Sequence, residues 1–488
     1  QLLQQCSKTL WGRQKQRKML HAAETGQSLS STQLICPSWS TGNEVNTAVP
    51  APFTSQTARE YDEQEAQFYV SDGWKLYQHT RPIYCIVKFI VRKSRFGLTE
   101  VGDLSPEDMK KIRYLSLIEL TAFYDALGVE LKRNRAERVR GRENGLFGVP
   151  LTVLLENDQK KVPGIKVPLI FQKLLLKLEE TGLETEGILR VPGSASRVKN
   201  LHQELEAKFY EDAFDWEQVR NNDAAGLLKM FIRELPSPLF TVEYLPAFIT
   251  LVEKISKIKL QLQALHLLIM LLPEANRDTA KAFLQFLKKV VANEGKNKMN
   301  LWNVSMIVAP NLFIYKGKRA NQQEMQAAAT TAHIVRLLIR YQDILWTVPS
   351  FLISQVRKMN EAAMNNSKRQ LMFDKGVRKL LRRKTMERER PERLESDIPE
   401  GVIRVYAPLH SKVSMAIQLN SQTKAKDILA RFHCESSHGS SQNIRGQIQS
   451  LHEIGGNIGQ HCLDPDAYML DVYRENPQAE WVIKPKAS

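Results

Sequence analysis

Over much of this chain apolar residues recur every three or four positions, and the recurrence breaks at glycine and proline. Between residues 147 and 346 the period is helical almost throughout. Pro168 opens a helix whose stripe is Ile170, Leu174 and Leu178, and Gly182 closes it. Val198, Leu201 and Leu205 mark the next helix. Asp223 stands as the N-cap of another, running through Leu235. Its apolar face carries Leu227, Leu228, Phe231, Ile232 and Leu235, while Lys229 and Arg233 share the opposite face. The run Leu267-Leu-Ile-Met-Leu-Leu272 ends at Pro273, is too short to span a bilayer, and reads as a buried core helix. Phe283, Leu284, Leu287, Val290 and Val291 mark a further helix stopped near Gly295, and one more runs from about Leu301 to Val308 and ends at Pro310. Many helices joined by short loops predict an all-α bundle over residues 147–348.

The flanks follow other patterns. Residues 1–70, rich in Ser, Thr, Gln and Ala, show no sustained period and are expected to be disordered. Residues 71–146 form a small helical and strand segment, partly ordered: 84–91 is strand-like, and Ser105 and Pro106 start a helix with Ile112, Leu115, Ile118 and Tyr124 on one face, stopped at Gly128. A basic run over 132–142 leads into the bundle. After it, residues 349–397 read as a basic linker or helix; between 368 and 393 lysines and arginines are interleaved with Leu371, Phe373, Val377, Leu380 and Leu381. Val413, Met415, Ile417 and Leu419 then alternate with polar or small neighbours, the pattern of a half-buried strand with these four side chains inward. Residues 402–406 are its expected partner strand, 423–432 a helix, and 468–472 and 481–483 later strands. A ββα unit followed by more strands predicts a small α+β domain over 398–488, of the ubiquitin-like kind.

Composition narrows the class. A chain of 488 residues, 43% hydrophobic and 25% charged, fits a soluble globular protein of two or three domains. The five cysteines, Cys6, Cys36, Cys85, Cys434 and Cys462, are odd in number and scattered, which fits reduced thiols in the cytosol rather than a disulfide framework. The first residues, from Gln1 to Lys8, lack the basic-then-apolar layout of a secretory signal. A cytoplasmic location is expected. The net charge of +16 implies an acidic partner, whether nucleic acid, anionic membrane or an acidic protein face.

Candidate chemistry centres on Glu186-Gly-Ile-Leu-Arg190-Val-Pro-Gly193. Glycine and proline there favour a fixed loop that projects a side chain. An arginine beside the Lys229–Arg233 pair suits a partner carrying phosphate charge, because guanidinium stays charged and donates from a planar fork. The plainer readings are a solvated pair of cations on the helix and a surface arginine stabilising its own loop.

Three blocks then stand in order: Gly187-Ile-Leu-Arg190-x-x-Gly193, Gly226-Leu-Leu-Lys229-x-x-x-Arg233-Glu-Leu-Pro236-x-Pro-Leu239, and Asn300 through Ala309-Pro-Asn311-Leu-Phe. Together they resemble the conserved blocks of Rho GTPase-activating (RhoGAP) domains, over about two-fifths of the chain. Phe147-Gly-Val-Pro-Leu151 is similar to that family's opening segment; where the family has Phe beside the key arginine, this chain has Leu189. The helix around 115–122, and Glu453-Ile-Gly-Gly-Asn457 and Asp464-Pro-Asp-Ala-Tyr468, are similar to the subgroup containing Rho GTPase-activating proteins eighteen, twenty-eight and forty. The resemblance implies a GTPase activator that supplies a residue in trans rather than an enzyme with its own substrate, down-regulating Rho and actin contractility. Its partner would be a GTP-bound Rho-family GTPase. Arg190 would be the catalytic arginine finger, Lys229 and Arg233 would brace the finger loop and the partner's switch regions, and Asn311 would hydrogen-bond at the same surface. Asn311 could instead cap a turn. The alternative function is a catalytically weak scaffold that binds the GTPase.

Other signals carry less. There is no Gly-x-x-x-x-Gly-Lys-Ser/Thr loop, so nucleotide binding by this chain is not expected, and no cofactor is implied. Gly455, Gly456 and Gly459 read as a turn. His433, Cys434, His438, His461 and Cys462 lack the paired spacing of a zinc module, so no metal is expected. No nucleic-acid fold is recognised, so no nucleic-acid partner is expected. The basic stretch 368–393 could lie on an anionic membrane surface, and Arg382-Arg-Lys-Thr385 resembles a basophilic kinase site.

Overall fold

The computed structural model describes residues 45–47, 89–91, 94–134, 141–313, 322–381, 401–410, 412–436 and 448–485. Expectations for the rest of 1–70, for 84–88, 135–140, 382–400 (with Thr385) and His438 lie outside the described residues, as do the side chains of 367–381. Two compact units are present among the described residues: Arg113–Gln342, and Thr41–Ile112 with Asp343–Ser488. In chain order the elements are β1 (Val45–Thr47), β2 (Phe89–Val91), α1 (Pro106–Ala126), α2 (Leu151–Asp158), α3 (Leu169–Thr181), α4 (Ala195–Lys208), α5 (Asn221–Glu234), α6 (Leu245–Lys254), α7 (Ile258–Leu271), α8 (Glu274–Ala292), α9 (Glu294–Asn297), α10 (Leu301–Phe313), α11 (Gln322–Arg340), α12 (Gln342–Leu345), α13 (Ser350–Leu381), β3 (Val402–Tyr406), β4 (Ser414–Gln418), α14 (Ala425–Ser436), β5 (Gln449–Gly455), β6 (Ile458–Cys462), α15 (Met469–Glu475) and β7 (Glu480–Pro485).

The first unit is helical. Pro168 and Gly182 bound α3 as expected, with Gly182 N–H closing onto Leu178 O at 2.9 Å. The buried stripes of α3, α5 and α8 meet in an aromatic core: Phe171 lies 5.3 Å from Phe231 and 6.0 Å from Phe283, ring centre to ring centre. Phe147 joins it from the opening segment, 6.0 Å from Phe231, and the Glu206 carboxylate on α4 fixes that segment by accepting the Leu146 and Phe147 N–H groups. α7 is buried along its length from Leu260 to Leu271, its polar residues Gln261, Gln263 and His266 included.

Two helices differ from expectation. α10 does not stop at Pro310 but continues to Phe313. An interior proline costs about 3 kcal/mol, and burying Leu312 and Phe313 contributes about 1.5–3 kcal/mol each, so the continuation wins. α5 begins at Asn221 with Arg220 at its N-cap, so Asp223 lies inside the first turn and caps nothing on its own helix.

The second unit holds a five-stranded sheet of order β4-β3-β7-β5-β6. β3 pairs antiparallel with β4 and parallel with β7, and β5 pairs antiparallel with both β7 and β6. α14 and α15 contribute Ile428, Phe432, Met469 and Val472 to a core shared with Ile403, Val405, Ile417, Leu451, Trp481 and Ile483. Ile417 and Leu419 face inward as expected and Met415 is half-buried, but Val413 precedes β4 and is 57% exposed. Residues 468–472 are not a strand: Met469 and Val472, three apart, are the buried positions of helix α15. Gly455 ends β5 and Gly456 opens the β5–β6 turn, with φ of +78° and +63°, whereas Gly459 lies within β6.

This unit extends beyond 398–488. Ser105 N–H donates to Gln460 O at 3.0 Å and Gly459 N–H to the Asp108 carboxylate at 2.7 Å. Arg357 on α13 pairs with buried Glu453 on β5 at 2.6 Å and donates to Asn457 Oδ1 at 2.6 Å. His461 lies 2.9 Å from Thr99 Oγ1 and 3.8 Å from Glu453 Oε2, while the His433 ring lies edge-to-face with His410, centres 5.4 Å apart.

Candidate functional site

The loop between α3 and α4 has buried neighbours around an exposed arginine. Ile188 and Leu189 are fully buried, and Arg190 between them and exposed Val191 is exposed. Gly187 turns the chain at φ +67°, and its carbonyl accepts the N–H groups of Arg190 and Val191, both at 2.8 Å. Leu189 also sits at φ +67°, a left-handed conformation that a leucine adopts only when its surroundings hold it. Part of that hold is Lys229: its Nζ donates to the Leu189 carbonyl at 2.7 Å. The ammonium is half-buried, and desolvation, with Arg233 one turn on, lowers its pKa below the usual lysine range.

Both ends of the loop are fixed as well. On the N-terminal side Gly187 N–H donates to Asn297 O at 2.8 Å. Asn297 is fully buried; its amide donates to Leu183 O and Val290 O, and its Oδ1 accepts the Met299 N–H, each at 2.8 Å. Asn221 links the C-terminal end of α3 to α5 through Thr181 O and Thr185 Oγ1, both at 2.8 Å. On the C-terminal side the Asp223 carboxylate accepts the Ser194 N–H at 3.0 Å and the Arg197 Nε at 2.8 Å.

The expected site residues are therefore placed unequally. Lys229 touches the Arg190 loop directly. Arg233 is exposed near the C-terminal end of the same helix, and among the described residues no carboxylate pairs with it or with Arg190. Asn311 is half-buried on α10, which packs against α5, and its amide donates to Ile307 O of its own helix at 3.0 Å. Asn297, Asn221 and the anchoring use of Asp223 were not foreseen. Asn297 and Asp223 are buried and Asn221 is half-buried, a placement that only the fold decides.

Comparison with known proteins gives two family matches: residues 168–317 to the RhoGAP domain, and residues 402–486 to the RHG40-like, C-terminal ubiquitin-like domain. The chain is 59% identical to Rho GTPase-activating protein 28 of Mus musculus over 438 residues, covering 87% of this chain and 60% of that one. It is 49% identical to Rho GTPase-activating protein 18 of Homo sapiens over 471 residues, covering 95% and 69%. Rho GTPase-activating protein 40 of Homo sapiens is 45% identical over 469 residues, covering 90% and 68%. The chain thus spans about 60% to 69% of the length of these relatives.

Proposed function

Because the chain belongs to the Rho GTPase-activating protein family, we propose that it accelerates GTP hydrolysis on a Rho-family small G protein, with Arg190 inserted in trans as the arginine finger. The observation that carries this reading is an exposed guanidinium, unpaired among the described residues, on a loop whose backbone is pinned on both sides. A side chain that merely stabilised its own loop would bond to it; Arg190 instead leaves its fork for a partner.

During hydrolysis negative charge redistributes over the transferring phosphoryl group, and the G protein alone neutralises it incompletely. A planar, permanently charged guanidinium placed there supplies the missing charge, and fingers of this kind contribute about 10³–10⁵ in rate. That corresponds to roughly 4–7 kcal/mol of barrier. Lys229 and Arg233 brace the finger loop and the partner's switch regions, and Asn311 hydrogen-bonds at the same surface. The catalytic unit is residues 147–348. Lowered Rho activity would reduce actin contractility. Residues 368–393 would bring the chain to anionic lipid; no helix among the described residues is long and apolar enough to cross a membrane.

Single-turnover hydrolysis on GTP-loaded Rho, Rac and Cdc42, with the parent and with Arg190→Ala, tests the reading. Stimulation of at least one GTPase that is lost in the variant is expected. Binding without stimulation by the parent would instead make the chain a scaffold.

A further inference from the structure

We propose that Asp223 is a positioning residue for Arg190, so that a single helix, α5, holds the finger loop on both sides of the finger. The inference rests on the reading of Arg190 given above.

Asp223 is 1% exposed, and a buried carboxylate is costly unless it is paired and hydrogen-bonded. It does not serve its own helix as a cap, since Arg220 occupies that position. Its oxygens are used on the loop side: Oδ1 accepts the Ser194 N–H at 3.0 Å, and Oδ2 accepts Arg197 Nε at 2.8 Å, with Nη2 of the same guanidinium 3.4 Å from Oδ1. The loop backbone lies flat against the helix here. A Cβ on Gly193 would stand 2.2 Å from Asp223 Oδ1, 2.9 Å from its Cα and 3.0 Å from the Asn222 carbonyl oxygen, so only glycine permits the approach.

Lys229 follows six residues later on the same helix and holds the Leu189 carbonyl at 2.7 Å. At 1.5 Å per residue the two anchors lie about 9 Å apart along the axis. The segment from Leu189 to Ser194 is thus fastened to one rigid rod at two points, with Arg190 between them. Rigid support of this kind matters because a displacement of about 1 Å at a reacting group can cost about 100-fold in rate.

An ordinary joint between α4 and α5 would predict lost stability and nothing particular to Arg190. The test separates the two by a double-mutant cycle with Arg190→Ala. It uses the full chain, saturating single-turnover hydrolysis, and affinity for the G protein loaded with a non-hydrolysable GTP analogue. Asp223→Ala is expected to lower the saturating rate about 10- to 100-fold, with affinity held within about threefold. Asp223→Asn keeps an acceptor for the Ser194 N–H and loses the ion pair, and should fall between. Gly193→Ala displaces the same arm with Asp223 intact and should match Asp223→Ala. In the Arg190→Ala background neither change should reduce the rate further, because both act through the finger.

A folded Asp223→Ala protein at the parent rate, or one that loses further rate without Arg190, overturns the proposal. If Asp223→Ala does not fold, Gly193→Ala decides by the same two readouts. If Arg190→Ala itself keeps the parent rate, the finger reading falls and this inference with it, an outcome distinct from failure of Asp223 alone.

Discussion

Replacing Lys229 with Met keeps the length and packing of the stem and deletes the ammonium that holds the Leu189 carbonyl at 2.7 Å. A hydrogen bond from a charged donor contributes roughly 1.5–3 kcal/mol. Opposing it is the left-handed backbone of Leu189, φ +67°, which for a residue with a side chain costs about 1–3 kcal/mol. These two terms are close in size. Burial of Ile188 and Leu189 and the turn closed on Gly187 O remain after the substitution, so the loop is loosened rather than released. A net shift of about 1–2 kcal/mol away from the projecting conformation lowers its population, and the saturating hydrolysis rate, roughly 5- to 30-fold. Stability should move the other way or not at all, because Met at this half-buried position no longer carries the desolvation that depresses the lysine. Stopped-flow hydrolysis at saturating activator, paired with a thermal melt, reads both. A saturating rate within about twofold of the parent would refute the reasoning. So would an intact rate with lost affinity, since the ammonium would then serve the partner rather than Leu189.

Three further outcomes are expected. Arg190→Ala should remove nearly all stimulated hydrolysis and leave docking to the GTP-bound partner largely intact, and Arg190→Lys should restore little because ammonium lacks the planar fork; equal rates for parent and Arg190→Ala would refute this. Burial pushes the Glu453 carboxyl up, but His461 and the Arg357 guanidinium outweigh it and hold the pKa below its ordinary 4.5, so its stabilising contribution is complete above pH 4.5 and is lost as pH falls through the lowered value. Glu453→Gln should therefore destabilise the sheet unit by about 3–5 kcal/mol at neutral pH, read as faster amide exchange in β5, and unchanged exchange would count against it. Vesicles rich in anionic lipid should sediment the full chain more than neutral ones, by about 1 kcal/mol for each cation of 368–393 near the surface; equal pelleting would dismiss the membrane role.

Most of the helical unit was legible because its stripes are strongly periodic and punctuated. Pro168 and Gly182 bound α3 where the sequence placed them, and the α5 face from Leu227 to Leu235 is buried. The misreadings share a physical origin. At Pro310 the local cost of proline is visible in sequence, but the compensating burial of Leu312 and Phe313 is tertiary. In 468–472 five residues are too few to separate period 2 from period 3.6, and the helix declares itself only through the joint burial of Met469 and Val472. β5 and β6 were missed because burial of Leu451, His452, Glu453, His461 and Cys462 includes polar residues that satisfy one another or the N-terminal segment, so no clean alternation survives.

The candidate site divides along the same line. Arg190 and Arg233 are exposed, on a glycine- and proline-bounded loop and on the polar face of α5, patterns visible in the sequence, whereas Lys229 is half-buried and turned to the Leu189 carbonyl. The groups that hold the loop could not be read there, because each acts on a distant backbone: Asp223 on Ser194 across 29 residues, Asn297 on Leu183 across 114. An aspartate near a helix start reads as a cap in any sequence, and cap or anchor is decided by which N–H the fold brings to it. Here the first turn of α5 faces the Gly193 arm closely enough to exclude a Cβ, and the carboxylate goes to Ser194. A chain keeping all three sequence blocks could therefore still lose its finger geometry through Asp223 or Asn297. An intact arginine alone is then weaker support for an active GTPase activator than the arginine together with its anchors.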